Sequence, residues 1–224
     1  MELLKTGIQN LDKILGGGVP KGSLMLLVGP TGSGKSVLSS QFVASCISNY
    51  NLRCLYLSFE EHTDTLEKNF DNFSWKLDKP QKEKLKIIKY NPYEFSAVSD
   101  ILSRTIKKDN IDIVIIDSLT GLELYVAEPK DLKNNLIDIQ HILKENGCTA
   151  IITSQIASDS YSMNRLGFEE ALSDGVIMMY YKNIKVEHMR GISVWKMRNM
   201  KHDSDIYPYT IGKEGIKIHQ KSIR

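Results

Sequence analysis

Apolar positions in this chain fall into short continuous runs separated by longer stretches with helical spacing, the pattern of strands covered on both faces by helices. The runs at residues 23–28, 54–59, 111–117 and 149–155 predict the main strands of a parallel sheet. Between them, residues 36–48 point Val37, Phe42 and Val43 to one side, and a helix from about Asp64 carries Leu66 and Phe70 four apart. Residues 94–108 repeat Val98, Leu102 and Ile106 in a four-residue stripe. After Pro129, Leu132, Leu136, Ile139 and Leu143 form another stripe, with Gly147 as its stop. Residues 86–90 predict an edge strand closed by Asn91-Pro92, and Leu11, Ile14 and Leu15 predict a short amphipathic helix stopped by Gly16-Gly17-Gly18 and Pro20. Four late runs, at 176–181, 192–197, 207–211 and 216–219, predict antiparallel strands that extend the sheet. Residues 156–167 are Ser-rich and carry too little hydrophobicity for a core. Alternating strands and helices of this kind give an α/β fold class.

Composition narrows the picture in three ways. A length of 224 residues without a Pro-, Gly- or Ser-rich divider suits one domain over 1–224. No apolar run is long enough to cross a bilayer, and residues 1–5 lack the build of a signal peptide, so a cytoplasmic protein without membrane contact is expected. Cys46, Cys54 and Cys148 are odd in number and lack C-x-x-C spacing, which argues against a disulfide framework or a zinc ribbon. The formal charge is only +2, but from Lys182 onward ten Lys and Arg face four Asp and Glu. A basic end of this kind attracts phosphate, of a nucleotide or of a nucleic acid.

The chemistry begins at Gly29-Pro30-Thr31-Gly32-Ser33-Gly34-Lys35-Ser36, which fills every position of the phosphate-binding loop G-x-x-x-x-G-K-[ST] between a strand and a helix. Glycines allow backbone N–H groups to fold around a polyphosphate, and the helix N-terminus adds positive potential. Lys35 can reach the β- and γ-phosphates and the Ser36 hydroxyl can ligate Mg²⁺, so ATP and Mg²⁺ are the expected cofactors. Val37, next in line, belongs to the same cradle, and the short helix at Leu11 is expected beside the nucleotide. The run 111–117 ends in Asp117, a Walker B pattern, and Asp117 is expected at the carboxyl end of a strand beside the P-loop strand, where such sheets bind ligands.

The order Leu15-Gly16-Gly17-Gly18-Val19-Pro20, the P-loop, Ser58-Phe59-Glu60-Glu61, Asp117-Ser118, Leu172-Ser173-Asp174-Gly175 and Lys196-Met197-Arg198 with His202 resembles the KaiC family of RecA-superfamily ATPases over nearly the whole chain. The resemblance implies a RecA-like P-loop NTPase fold with ATP at the subunit interfaces of a ring, usually a hexamer. By motif, Lys35 and Ser36 bind phosphates and Mg²⁺, and Asp117 holds the metal through its water shell. Glu60 and Glu61 match the pair that activates the attacking water, with Glu60 the preferred base. Gln155, at a strand end, is a candidate γ-phosphate sensor. Lys196, Arg198 and His202 keep the K-x-R-x-x-x-H spacing through which such subunits reach a neighbour's nucleotide. The autokinase acceptor pair of KaiC is replaced by Glu170-Ala171, so autophosphorylation is not expected. The resemblance implies an ATPase whose nucleotide state governs a protein partner. The alternative is a RadA-like, DNA-binding repair accessory, for which residues 156–167 offer Tyr161 and Arg165 but also Asp159.

Overall fold

Continuous apolar runs become central strands here because both of their faces are covered. In chain order the computed structural model contains β1 (Leu3–Leu4), α1 (Leu11–Ile14), β2 (Val19–Pro20), β3 (Leu24–Gly29), α2 (Lys35–Tyr50), β4 (Cys54–Ser58), α3 (Thr63–Asn72), α4 (Lys79–Lys82), β5 (Leu85–Lys89), α5 (Val98–Asp109), β6 (Ile113–Asp117), α6 (Leu119–Glu123), α7 (Pro129–Glu145), β7 (Thr149–Gln155), α8 (Phe168–Leu172), β8 (Gly175–Ile184), β9 (Glu187–Met197), β10 (Tyr207–Gly212) and β11 (Gly215–Ile218). The structure describes residues 2–91, 97–123, 126, 128–157, 167–184 and 187–220. β1 and β2 form a small ribbon, and nine strands form one sheet in the order β11-β10-β9-β8-β3-β7-β6-β4-β5. From β8 to β5 all neighbours are parallel, while β8, β9, β10 and β11 pair antiparallel.

Period two decides which core each strand residue joins. In β3, Met25 and Leu27 enter the core under α2 and α3, while Leu24, Leu26 and Val28 enter the one under α5, α6 and α7. In β6, Ile113 and Ile115 take the first side and Val114 and Ile116 the second. The cysteines are free and buried, and burial pushes their thiols above the ordinary range, as expected of cysteine used as a small hydrophobe.

Two expectations change. Residues 176–181 were expected to be antiparallel to their neighbours, but β8 runs parallel to β3 and only its other neighbour, β9, is antiparallel. The chain returns to the start of the sheet before β8 begins, where Asp174 N–H donates to Leu24 C=O at 2.7 Å, and a strand entered from that end must run with β3. Asp117 does not stand beside the P-loop strand, because β7 lies between β3 and β6. The segment that leads into α1 packs on α2, with Gly7 against Ser45 and Gly7 C=O accepting from Gln41 Nε2 at 3.1 Å. Three short helices, α4, α6 and α8, carry too few turns to leave a periodic signal.

Candidate functional site

The phosphate loop leaves β3 at Gly29 and enters α2 at Lys35. Gly34 caps α2 with φ 93°, and a Cβ there would meet Ile211 Cδ1 at 2.6 Å, so only glycine lets β10 close over the turn. The loop is tied from inside and outside. Ser33 Oγ donates to Pro30 C=O at 2.8 Å, and the Tyr209 hydroxyl of β10 donates to Ser33 C=O. Thr31 and Gly32 are exposed, Val37 is half-buried, and Leu38 rather than Val37 is the fully buried residue of the first turn.

Lys35 Nζ donates to Gly29 C=O at 2.8 Å and to Pro30 C=O at 3.1 Å, so its ammonium is held at the loop. Burial lowers its pKa, and the Asp117 and Glu60 carboxylates oppose that shift. Ser36 Oγ donates to Asp117 Oδ2 at 2.8 Å, which joins Walker A to Walker B directly. Asp117 is 8% exposed and takes two further hydroxyls, Tyr56 at 2.6 Å on Oδ2 and Thr153 at 2.5 Å on Oδ1. Tyr56 is fully buried, and burial together with the Asp117 charge raises its phenol far above the usual range. The β7 strand that separates β3 from β6 thus supplies Thr153 to hold the carboxylate in place.

Hard oxygen donors at Ser36 and Asp117 fit Mg²⁺, which is bound through one or two carboxylates plus substrate phosphates rather than in an all-protein cage. Among the described residues no group of three or more His, Cys, Asp or Glu forms such a cage. The Asp117–Ser118 peptide is cis. Ser118 Oγ donates to Glu60 Oε1 and accepts Gly121 N–H at 3.1 Å, which fixes the Glu60 carboxylate at the head of α6.

Glu61 is half-buried in the turn after β4, with its N–H on Ser58 Oγ at 3.0 Å. Burial raises its pKa, the Asp117 and Glu60 charges raise it further, and Lys89 pulls it back. A carboxyl raised in the folded state favours the protonated fold, so stability falls as pH rises from the ordinary value of 4.5 through the raised one. Glu61→Gln is therefore expected to raise the thermal midpoint at pH 7 and to gain nothing near pH 4. Melts of both proteins at the two pH values check this, and an equal effect at both would remove the electrostatic cause.

Gln155 ends β7 in register with Gly29 of the P-loop strand, its side chain exposed. Its N–H donates to Thr120 Oγ1 at 2.7 Å, tying this strand end to α6. Lys196 and Arg198 lie elsewhere. Lys196 Nζ donates to Glu170 and Ser173 carbonyls at 2.6 and 2.8 Å, and Arg198 donates to Ala171 C=O at 2.7 Å and faces Asp174 at 3.5 Å. Burial and the neighbouring Arg198 lower the Lys196 pKa, against Glu170 and Asp174. The two cations therefore form one cluster at the C-terminal end of α8. His202 stands apart from it, with Nδ1 at 3.5 Å from Met200 C=O and its loop pinned to α1 through Asp203 N–H on Ile14 C=O at 2.9 Å.

Register fixes which end of the sheet this is. Met197 pairs with Gly175, and Gly175 with Met25, near the start of β3. The P-loop begins past Gly29, so the cluster is at least about 13 Å along the strand direction from its own phosphate loop, at 3.3 Å per residue.

A family model described as the KaiC ATPase matches residues 4–223. The chain belongs to the KaiC ATPase family. A UPF0273 protein of Methanocaldococcus jannaschii is 31% identical over 100% of this chain and 98% of its own length. The circadian clock oscillator protein KaiC of a Picosynechococcus strain is 30% identical over 97% of this chain, which covers 44% of that protein. The crystal structure of a KaiC-like protein from the hyperthermophilic archaeon Pyrococcus horikoshii superposes with a TM-score of 0.86 at 29% identity, covering 97% of this chain and 99% of the other. The mostly parallel sheet with antiparallel C-terminal strands is thus the RecA-like fold of this KaiC-like neighbour.

Tyr56, Thr153, Ser118 and Tyr209 are contacts that sequence reasoning missed. Each is a hydroxyl within or beside a strand, and a buried polar position inside an apolar run is the signal that marks Tyr56 and Thr153. Tyr161 and Arg165, the candidate DNA contacts, lie outside the described residues. No described helix is long and apolar enough to cross a membrane.

Proposed function

We propose that this chain is a single-domain, Mg²⁺-dependent ATP hydrolase whose site is completed by a neighbouring copy in a ring, expected to be a hexamer. The observation that carries the reading is the 2.8 Å hydrogen bond from Ser36 to Asp117, beside Lys35, which brings the phosphate and metal ligands of Walker A and Walker B to one point. Lys35 and the loop amides bind the phosphates, and Ser36 and Asp117 hold Mg²⁺. Bound there, Mg²⁺ supplies charge neutralisation for phosphoryl transfer. Glu60, held by Ser118, and Glu61, with its raised pKa, are the two groups able to orient and deprotonate water.

The second half of the site comes from Lys196 and Arg198. Their position at the opposite end of the sheet from their own P-loop supports action on a neighbour, because a head-to-tail ring sets unlike surfaces against each other. His202 is assigned to the same edge more loosely, since its loop follows β9 but leans on α1. The nucleotide state of such a ring would govern a protein partner. DNA binding remains the alternative role.

Hydrolysis measured with and without Mg²⁺ tests the reading. Wild-type protein is expected to turn over ATP only with the metal. Glu60→Gln and Glu61→Gln are expected to bind nucleotide, with at least one of them slowed by about 10²-fold or more. Wild-type turnover in both variants would remove the pair from the mechanism.

A further inference from the structure

The turn that carries Glu60 and Glu61 is fastened to β4, β5 and β6. Ser58 Oγ accepts Glu61 N–H at 3.0 Å and donates to Glu61 C=O at 2.8 Å, which closes the turn from within. On one flank Phe59 N–H donates to Asp117 C=O of β6 at 2.8 Å. On the other, Lys89 Nζ, from the last residue of β5, donates to Phe59 C=O at 2.8 Å. Ser58 and Lys89 are register partners, and Tyr90 N–H on Ser58 C=O at 2.9 Å carries the β4–β5 pairing one step past them. The Tyr90 ring meets the Phe59 ring edge to face, with centres 6.1 Å apart.

Lys89 is half-buried, and among the described residues no carboxylate lies within ion-pair distance of it. Lys86, on the same edge strand, instead pairs with Asp109 of α5. Two lysines act on the acidic groups of the site. Lys35 feels Asp117 and Glu60, while Lys89 opposes the combined push of Asp117 and Glu60 on Glu61. Bound nucleotide would claim Lys35 for its phosphates, which leaves Lys89 as the cation of the acidic turn. A charged donor holds a carbonyl about twice as firmly as a neutral one. The peptide held in this way is the one that leads directly into Glu60, and a shift of about 1 Å in a reacting group can cost about 10²-fold in rate.

Resting on the reading of Glu60 and Glu61 as the pair that activates water, we infer that Lys89 is a positioning residue for that pair. It holds the Phe59 carbonyl from the edge strand and supplies a fixed positive charge beside the two carboxylates.

The test is steady-state hydrolysis by Lys89→Met, Lys89→Gln and Lys89→Arg, with nucleotide titrations and thermal melts on the same preparations. Met removes both the charge and the donor, Gln keeps a shorter N–H donor without charge, and Arg keeps both. Lys89→Met is expected to lower kcat by roughly 10-fold, the worth of one hydrogen bond to a charged group, with KM and ATP affinity within about twofold of wild type. Lys89→Arg should recover most of the loss and Lys89→Gln less of it. Lys86→Met, which loses the Asp109 pair on the same strand, should keep the wild-type kcat. A wild-type kcat in Lys89→Met, whatever its melting temperature, would reduce Lys89 to an edge residue that discourages strand pairing. A fall in kcat that Lys89→Arg does not relieve, or that Lys86→Met reproduces, would trace to damage in β5 and would also overturn the inference. If Lys89→Met does not fold, Lys89→Gln is judged by the same outcomes. Wild-type turnover in both Glu60→Gln and Glu61→Gln would overturn the underlying reading as well. Loss in either of those variants with a wild-type kcat in Lys89→Met overturns this inference alone.

Discussion

Arg198→Ala is expected to cut ATP turnover by roughly 10³-fold or more while nucleotide binding persists, the range for removing an arginine supplied in trans. Arg198 follows β9 where that strand pairs with Gly175 at the start of β8, whereas the phosphate loop follows the end of β3. Within one chain the arginine serves α8, through Ala171 C=O and Asp174. If that were its whole role, Arg198→Ala would lose a partly exposed ion pair worth about 0–1 kcal/mol of stability and leave turnover almost unchanged. Single-turnover rates beside thermal melts separate the two outcomes, since a large rate loss with a small stability loss belongs only to the intersubunit role.

The second large effect is expected at Asp117. Asp117→Asn should lower Mg²⁺-dependent turnover by at least about 10²-fold, because the carboxylate proposed to hold the metal becomes a neutral amide and a metal there would supply several kcal/mol of charge stabilisation. The packing predicts a second consequence. Ser36, Tyr56 and Thr153 all donate to this nearly buried carboxylate. An amide nitrogen accepts nothing, so at least one hydroxyl loses its acceptor at a cost of about 1–3 kcal/mol. Tyr56→Phe combined with Asp117→Asn should recover part of that stability and none of the activity. Denaturant melts and hydrolysis assays on the single and double variants check both halves, and full activity in Asp117→Asn would remove the metal role.

The phosphate loop and Asp117 are legible in sequence because each is local. Eight consecutive residues spell the phosphate loop, and an apolar run that ends in a single carboxylate spells Asp117. The apolar runs also mark the central strands β3, β4, β6 and β7, where both faces are buried and most side chains are apolar. Strand order is different. It depends on which distant run lies alongside, so β7 between β3 and β6 was not readable from either run, and neither was Thr153 as the support for Asp117. The placement of Lys196 and Arg198 could be named by spacing, but not the end of the sheet they occupy. That follows from the parallel entry of β8, set up by a five-residue helix too short to show a period. The register of β8 and β9 contains an irregularity between Val176 and Ile177 and cannot be counted from sequence alone.

Subunit mixing tests whether one active site is built from two copies of the chain. Lys35→Ala lacks a working phosphate loop but keeps Arg198, while Arg198→Ala keeps the loop and lacks the arginine. Each alone should be nearly inactive. Co-assembled in equal amounts with random order, about a quarter of the head-to-tail interfaces would pair an intact loop with an intact arginine, so turnover should recover to about that fraction of wild type. Recovery towards that level, dependent on assembly, is the predicted result. No recovery in rings verified to contain both variants would show that Arg198 acts within its own chain, and would contradict the account.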